Sequence, residues 1–262
     1  MKIIVLASGS KGNATYIETK HSKLLIDAGI SFRQMKLKLL EHQINIETLD
    51  AVLLTHEHSD HAKGLPTLLK YTRTMLYTLE DTFNHLYHKT TYDLSYTQFS
   101  KITENQSFRI NDLKITPIPV SHDAVSTVGF ILEENDTKLV YMTDVGYLPT
   151  EDYPKIENAT GYIFEANYDV SLLFSSARPY YLKKRIDSIS GHLSNADSAY
   201  HLSRVVGEKT KLIILAHPSD ECNTEHHVMT TLLEVFNSYA IDVNRFEIIV
   251  AKQQVSTKMI EI

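Results

Sequence analysis

AVLLTHEHSDH, residues 51–61, is the most informative stretch of this chain. An apolar run typical of a strand comes first, and histidine and acidic side chains follow where a loop opens a helix. Because residues two apart on an extended backbone share a face, His56 and His58 can bind one metal ion. Asp60 and His61, beyond the turn, can serve a neighbouring ion. The stretch therefore predicts a two-metal hydrolytic centre.

Three more residues of the kinds that bind metals each follow a strand-like apolar run later in the chain. A bridged pair of ions needs roughly four protein ligands per ion, with one of them shared. Glu57 points away from the two histidines beside it and is predicted not to be a ligand. The predicted ligands are His56, His58 and His122 for the first ion, Asp60, His61 and His217 for the second, and Asp144 as the shared carboxylate.

Composition fits an intracellular enzyme. The 262 residues, 43% of them hydrophobic, can bury the core of one large domain or two small ones. No apolar run is long enough to span a bilayer, and the single cysteine, Cys222, suits a reducing compartment, so we expect a cytoplasmic protein. The net charge of −6 is unlike that of a general nucleic-acid coat protein. It does not exclude a nuclease, because bound cations and a local basic rim can hold phosphates.

The order of secondary-structure signals predicts two packed sheets with helices outside them. Two runs of strands, mainly antiparallel, are each followed by helices. We find no repeat, low-complexity tract or linker that would divide the chain. Helices are predicted over residues 32–42, 195–206 and 225–239, with another beginning near Ala62.

The histidine motif, followed in order by His122, Asp144 and His217, resembles the metallo-β-lactamase superfamily across nearly the whole chain. That resemblance implies an α+β fold, a four-layer αββα sandwich of two mixed, mainly antiparallel sheets with outer helices. It also implies that the dinuclear site lies along one edge of the sheets. Asp27 matches the early aspartate that supports the histidine loop in this superfamily. We expect residues 1–262 to form a single domain of this kind.

Short sequence motifs indicate which branch of the superfamily the chain resembles. Those over residues 6–13, 178–183, 190–195 and 216–220 resemble the YycJ (WalJ) subfamily. The resemblance implies a 5′→3′ DNA exonuclease linked to mismatch repair, with DNA and DNA-repair proteins as partners. The segment between Tyr147 and His192 is too short for the domain that β-CASP nucleases insert there. Tyr168 and Cys222 depart from the usual His and Asn, which leaves the fine specificity open.

The resemblance also implies a mechanism. Two divalent ions, Zn²⁺ or Mn²⁺, would activate a bridging hydroxide that attacks the phosphodiester, with Asp60 both a ligand and a catalytic residue. His192 resembles the non-ligand histidine that the phosphodiesterase branch uses at this point. We expect it to donate a proton to the leaving group, with Glu165 orienting its ring.

Two substrate contacts are predicted with less support from the residues themselves. Asn13 ends a Gly-rich stretch that a hairpin turn explains as well as a phosphate cradle does. Lys183 begins a basic run with Arg178 nearby, and such a run is also typical of an exposed face. The alternatives are an RNA-directed nuclease, a hydrolase of a cyclic phosphate, lactone or thioester, and a non-catalytic regulator. The seven intact ligands disfavour the regulator.

Overall fold

A computed structural model describes residues 1–89, 94 and 97–262. Within these residues the strands form two seven-stranded sheets. The first sheet, in spatial order, consists of β14 (Ile260–Glu261), β1 (Lys2–Ala7), β2 (Ala14–Glu18), β3 (Lys23–Ile26), β4 (Ala51–Leu53), β5 (Met75–Thr78) and β6 (Phe99–Lys101). The second consists of β13 (Glu247–Val250), β12 (Leu212–Ala216), β11 (Gly161–Glu165), β10 (Thr137–Met142), β9 (Val128–Glu134), β8 (Leu113–Pro119) and β7 (Phe108–Ile110).

The helices cover the outer faces of the sheets. Ser31 begins the first long helix with a capping box to Gln34, and Thr224 caps the last one. In the described ranges, no helix is both long and apolar enough to cross a membrane. The α-helices are α1 (Phe32–Glu41), α2 (Ser59–Ala62), α3 (Leu65–Tyr71), α4 (Glu80–His88), α5 (Tyr153–Ile156), α6 (Val170–Ser175), α7 (Tyr180–Ile186), α8 (Asn195–Val205) and α9 (Glu225–Ser238).

Successive residues of each strand face opposite sides of the sheet, and this alternation builds three hydrophobic layers. Ile26 of β3 points between the sheets and packs in the same cluster as Phe130 of β9. Its neighbour Leu25 points outward and packs in a cluster with Met35 of α1. The outer layer on the second sheet includes Tyr162, Phe164, Leu202 and Phe236. The predicted α+β sandwich of two mixed sheets with outer helices is confirmed.

The balance of strand directions differs from the prediction. In the first sheet β14, β1, β2 and β3 pair antiparallel, whereas β3 to β6 pair parallel. In the second, β7 to β10 pair antiparallel and β10 to β13 pair parallel. The expectation of mainly antiparallel sheets is therefore wrong. Helical crossovers, such as α1 between β3 and β4, return the chain to the same edge and make the next strand parallel.

The strand ends that carry the predicted site have a shared backbone feature. Asp27, Asp144 and His217 each follow a strand with a positive φ, at 62°, 58° and 56°. This left-handed region is sparsely populated by residues other than glycine. The sharp turns that it produces let each side chain lie across the end of its sheet.

Close backbone packing holds the loop over residues 56–61 in place. Asn13 N donates to Asp60 O at 2.7 Å, and Gly29 N donates to Asn13 O at 2.7 Å. A Cβ on Gly29 would lie 1.6 Å from Asp60 O, and one on Gly64 would lie 2.0 Å from Ile30 O. Only glycine fits at these approaches. The helix predicted near Ala62 is accordingly two short helices, α2 and α3, separated at Gly64.

Candidate metal centre

Asp27 and Thr55 fix the base of the histidine loop. Thr55 donates to Asp27 Oδ1 from its backbone nitrogen and from its hydroxyl, both at 2.9 Å. His61 Nδ1 donates to Asp27 Oδ2 at 2.7 Å, and both side chains are fully buried. Since a carboxylate only accepts, this bond places the proton on Nδ1 and leaves His61 Nε2 free to bind a metal. The supporting position expected for Asp27 matches these contacts.

His56, His58 and His122 meet as predicted for the first ion. One ligand-type atom from each lies within 4.8 Å of the others. His122 Nδ1 donates to Gly191 O at 3.0 Å, which leaves Nε2 facing His58 Nδ1 at 3.3 Å. The hydroxyl of Thr55, already a donor to Asp27, accepts from His56 Nδ1 at 2.9 Å. His56 therefore presents its unprotonated Nε2 to the cluster.

Asp60, His61 and His217 form a second group, whose ligand-type atoms again lie within 4.8 Å of one another. His217 Nε2 lies 3.4 Å from Asp60 Oδ2, and His61 Nε2 lies 3.5 Å from the same oxygen. The His217 ring is held from behind, where its Nδ1 lies 3.2 Å from Glu165 Oε1. This is the second set predicted from the sequence, and the assignment of each residue to an ion stays a prediction.

Asp144 lies between the two groups, where a shared ligand would be needed. Its Oδ2 is 3.0 Å from His61 Nε2, and its Oδ1 is 3.6 Å from His217 Nε2 and 3.7 Å from His122 Nε2. Asp144 Oδ2 and His56 Nε2 are both buried, and neither has a hydrogen-bond partner among the residues that the structure describes. Such orphaned atoms are costly unless a ligand satisfies them. Nitrogen and carboxylate ligands suit zinc or manganese, so the residues fit divalent metal ions.

The ionisation of His56 and Asp144 also suits metal binding. Burial, together with the nearby His61 ring, lowers the pKa of His56 well below its ordinary value, which favours the neutral imidazole. Burial alone would raise the pKa of Asp144, but the His217 and His61 imidazoles outweigh it and hold that pKa well below its usual range. Asp144 is therefore a carboxylate, the form that binds a cation.

His192 and Glu165 are also brought to this edge. His192 Nδ1 donates to Glu165 Oε1 at 2.8 Å, while Glu165 Oε2 accepts from Val145 N at 2.7 Å and Leu193 N at 3.2 Å. Burial would raise the pKa of Glu165, but His192 outweighs it and the pKa is lowered, which keeps the carboxylate charged. His192 lines the cavity, and its bond to Glu165 uses Nδ1 and not Nε2. Their catalytic roles stay predictions.

Asn13 reaches the site from the β1–β2 hairpin. Its amide accepts from Gly9 N at 2.8 Å and donates to Gly9 O at 3.1 Å, which fixes its orientation. The same Nδ2 lies 3.0 Å from His61 Nε2. Asn13 is buried, and Ser10 of the same loop lines the cavity instead. The substrate contact predicted for Asn13 stays a prediction, whereas its contact with the predicted ligand is direct.

Lys183 does not lie where a substrate contact requires it. Its side chain is buried, and Nζ donates to Phe174 O and Ser176 O, both at 2.7 Å. The ammonium thus satisfies carbonyl groups at the end of α6. Its position does not support the predicted role, and we correct it to a structural one. A single sequence could not separate Lys183 from its neighbours, because their faces depend on where α7 begins.

Two arginines line the cavity in its place. The cavity measures about 230 Å³, and Arg178 and Arg185 line it. Its walls also include five of the seven predicted ligands, His58, Asp60, His122, Asp144 and His217. Arg178 Nε donates to Glu221 Oε2 at 2.9 Å, and Arg185 Nε donates to Asp123. Each guanidinium keeps further N–H groups that can bind phosphate.

The two subfamily departures pack together below the site. Tyr168 and Cys222 belong to one small buried cluster with Leu173 and Ile186. The Tyr168 hydroxyl donates to Asp187 Oδ1 at 2.9 Å. Neither residue lines the cavity. Because Leu173 belongs to α6 and Ile186 to α7, we expect the two departures to influence specificity through the positions of these helices.

Sequence reasoning missed several supporting residues. Thr55 contacts both His56 and His61, Ser8 Oγ accepts from His217 N at 2.8 Å, and Asn167 Nδ2 donates to His217 O at 2.8 Å. Each lies beside a quoted motif, but position alone does not reveal a hydrogen bond that forms between distant strands.

Comparison with known proteins agrees with the fold. A family model described as the beta-lactamase superfamily domain matches residues 22–214. The chain belongs to the metallo-β-lactamase superfamily, and within it the chain is YycJ-like.

Its relatives include two exodeoxyribonucleases. It is 38% identical to exodeoxyribonuclease WalJ of Streptococcus pneumoniae (strain D39) over 88% of this chain and 87% of that protein. It is 34% identical to exodeoxyribonuclease YycJ of Bacillus anthracis over 97% of each chain. Among solved structures, the metallo-β-lactamase fold protein YhfI of Bacillus subtilis superposes with a TM-score of 0.74 at 17% identity, covering 98% of both chains. The short form of human tRNase Z superposes with a TM-score of 0.67 at 16% identity, covering 100% of both.

Proposed function

We propose that this protein is a metal-dependent phosphodiesterase that degrades DNA as a 5′→3′ exonuclease. The observation that carries the proposal is the paired cluster of metal-type atoms, in which His56 Nε2 and Asp144 Oδ2 are buried without partners. The names of the two relatives supply the substrate class. We further propose that residues 1–262 act as one domain without a β-CASP insertion, because the core between the sheets takes residues from both halves.

The predicted ligands would hold two divalent ions, with Asp144 between them. When bound, such ions would supply the chemistry of lowering the pKa of a water towards neutrality and of stabilising charge on the phosphate oxygens. His192 is held by Glu165 with its Nε2 towards the cavity, so that it can give a proton to the leaving oxygen. Arg178 and Arg185 would bind neighbouring phosphates.

The test is degradation of end-labelled DNA and RNA by protein reconstituted with zinc or manganese. We expect labelled nucleotides to be released first from 5′-labelled DNA. D60A is the inactive control. E208A, which changes an exposed residue, is the active control. Activity on RNA alone, or on a lactone but not on DNA, would contradict the proposal. The use of two ions is tested separately by metal content per chain.

The proposed biological context is mismatch repair in the cytoplasm, with repair proteins as partners. We expect cells whose own copy carries D60A to accumulate spontaneous mutations, measured as the frequency of resistant colonies. An unchanged frequency would contradict the link to repair and leave the nuclease assignment standing.

A further inference from the structure

Three large apolar side chains are exposed on the segments that also carry cavity-lining residues, and we call them the apolar rim. Tyr147 is 51% exposed, while Tyr181 and Ile189 are each 75% exposed. Side chains of this size are exposed singly on most proteins, but a group of them beside a site indicates a binding surface. Each lies within four positions of a cavity-lining residue, namely Asp144, Arg185 and Gly191.

Tyr147 and Ile189 lie on the same side of the mouth. Gly146 N donates to Ser121 O at 2.8 Å, and Ser121 Oγ donates to Ile189 O at 2.6 Å. A Cβ on Gly146 would lie 2.5 Å from Ile189 O, so the two loops pack without an intervening side chain. Ser121 directly precedes His122, which places both rim residues next to a predicted ligand.

Tyr181 belongs to α7, whose inner face forms another wall of the cavity. Leu182, Arg185 and Ile186 line that wall. Tyr181 is one helical turn before Arg185, so the two side chains are neighbours on the helix surface. Tyr180 is 68% exposed, and the helical period places it on the face of α7 opposite to the cavity wall.

The size of the cavity indicates what the rim contacts. At about 230 Å³ the cavity is below the roughly 300–1,000 Å³ of most small-molecule sites, and the predicted metal ions would occupy part of it. A phosphate can enter, whereas the bases and sugars of a polynucleotide must lie outside, over the rim.

The charge around the mouth favours bases as the contact. Arg178 and Arg185 are each paired with one acid, Glu221 or Asp123, and therefore supply only part of their charge. The whole chain has a net charge of −6. In the absence of the metal ions, binding of a polynucleotide therefore needs a contribution beyond phosphate attraction, and stacking of bases on aromatic rings supplies such a contribution.

We propose that the apolar rim stacks the unpaired bases of a single-stranded DNA end, while Arg178 and Arg185 hold its phosphates. This inference deepens the proposed nuclease function and rests on it for the identity of the substrate. It assigns a single strand as the bound form, since paired bases inside a duplex do not offer their faces to a protein surface.

The test measures the Kd of the full chain for two fluorescent ligands in a chelating buffer, where hydrolysis is blocked. One is a short oligothymidylate, and the other is an abasic strand of the same length with the same phosphates. Y147A and Y181A should each weaken oligothymidylate binding about tenfold or more and leave abasic binding unchanged. Y181F should bind as the wild type does, because its ring is kept. Y180A is the matched control on the same helix and should also bind normally.

Equal losses on both ligands, or no loss in Y147A and Y181A, would overturn the stacking role. Thermal unfolding of each variant shows whether a loss comes from misfolding, and Y181F then decides the role of the ring. Failure of the nuclease proposal looks different: wild-type protein with its metals would bind oligothymidylate through the rim but would not degrade it.

Discussion

Asp27 and His61 are joined by a 2.7 Å hydrogen bond from His61 Nδ1 to Asp27 Oδ2, and neither side chain reaches solvent. Asp27 directly follows β3 and His61 belongs to α2, shortly after β4, so the bond connects the segments that follow two neighbouring strands. It sets the tautomer of a predicted metal ligand from outside the ligand set.

Replacement of Asp27 by asparagine tests this bond. In D27N one of the two carboxylate oxygens becomes an NH2 group, which donates instead of accepting, so either His61 or Thr55 loses its acceptor and the imidazole is disturbed. We expect metal affinity to fall about 10–100-fold, as is usual when a partner of a ligand is lost. Competition with a chromogenic chelator measures it. D112N, which alters a carboxylate bonded to Ser22 and Thr19 at the other end of the sheet, should bind metal normally.

Glu165 connects the predicted proton donor to a predicted ligand, because its Oε1 lies 2.8 Å from His192 Nδ1 and 3.2 Å from His217 Nδ1. H192A should retain its metals and lose about 10²–10⁴-fold in turnover. E165Q should lose turnover and metal affinity together. Metal content and single-turnover rates separate the two effects. Full turnover by metal-loaded H192A would remove His192 from the mechanism.

Metal binding should release protons at neutral and mildly alkaline pH. Burial would lower the pKa of His217, but the carboxylates of Asp144, Asp60 and Glu165 outweigh it and raise that pKa to about 10 in the metal-free protein. Since a ligand imidazole must be neutral, metal displaces this proton, and affinity rises as pH increases towards 10. Calorimetry in two buffers with different heats of ionisation measures the release. Identical heats in both buffers would contradict this prediction.

Phe130 tests the layer between the two sheets. Its ring is fully buried in that layer, where it packs among other apolar side chains. F130A should lower the free energy of unfolding by about 3–5 kcal/mol, measured by urea denaturation. L37A, at a residue 51% exposed on α1, should change it by less than about 0.5 kcal/mol. A loss below about 1 kcal/mol in F130A would mean that the layer readily closes the gap.

Gly29 tests how closely the histidine loop is held. Because a Cβ there would lie 1.6 Å from Asp60 O, G29A must move the loop that carries four predicted ligands. We expect weaker metal binding and a lower unfolding temperature together. G207A is the comparison, since its Cβ would meet only the Asn158 side chain, with the nearest atom at 2.4 Å, far from the metal cluster in sequence and structure. Normal metal binding by G29A would show that the loop can shift without cost.

The parts of this protein that the sequence predicts are those with local signals. The last helix, predicted over residues 225–239, spans Glu225–Ser238, and the seven ligand-type residues meet because each follows a strand end. The parallel pairing in each sheet could not be predicted, because it depends on how helices return the chain. The orientation of Lys183 was likewise hidden, since its carbonyl partners belong to a different helix.

The left-handed backbone at Asp27, Asp144 and His217 has a consequence for how the family can change over time. The left-handed conformation of each such residue lowers the stability of the fold by roughly 1 kcal/mol compared with a relaxed turn. That loss is offset by function only while the three side chains take part in the chemistry. A related protein that had lost catalysis would become more stable if glycine replaced these three residues. Retention of all three is thus a mark by which working members can be told from degenerate ones.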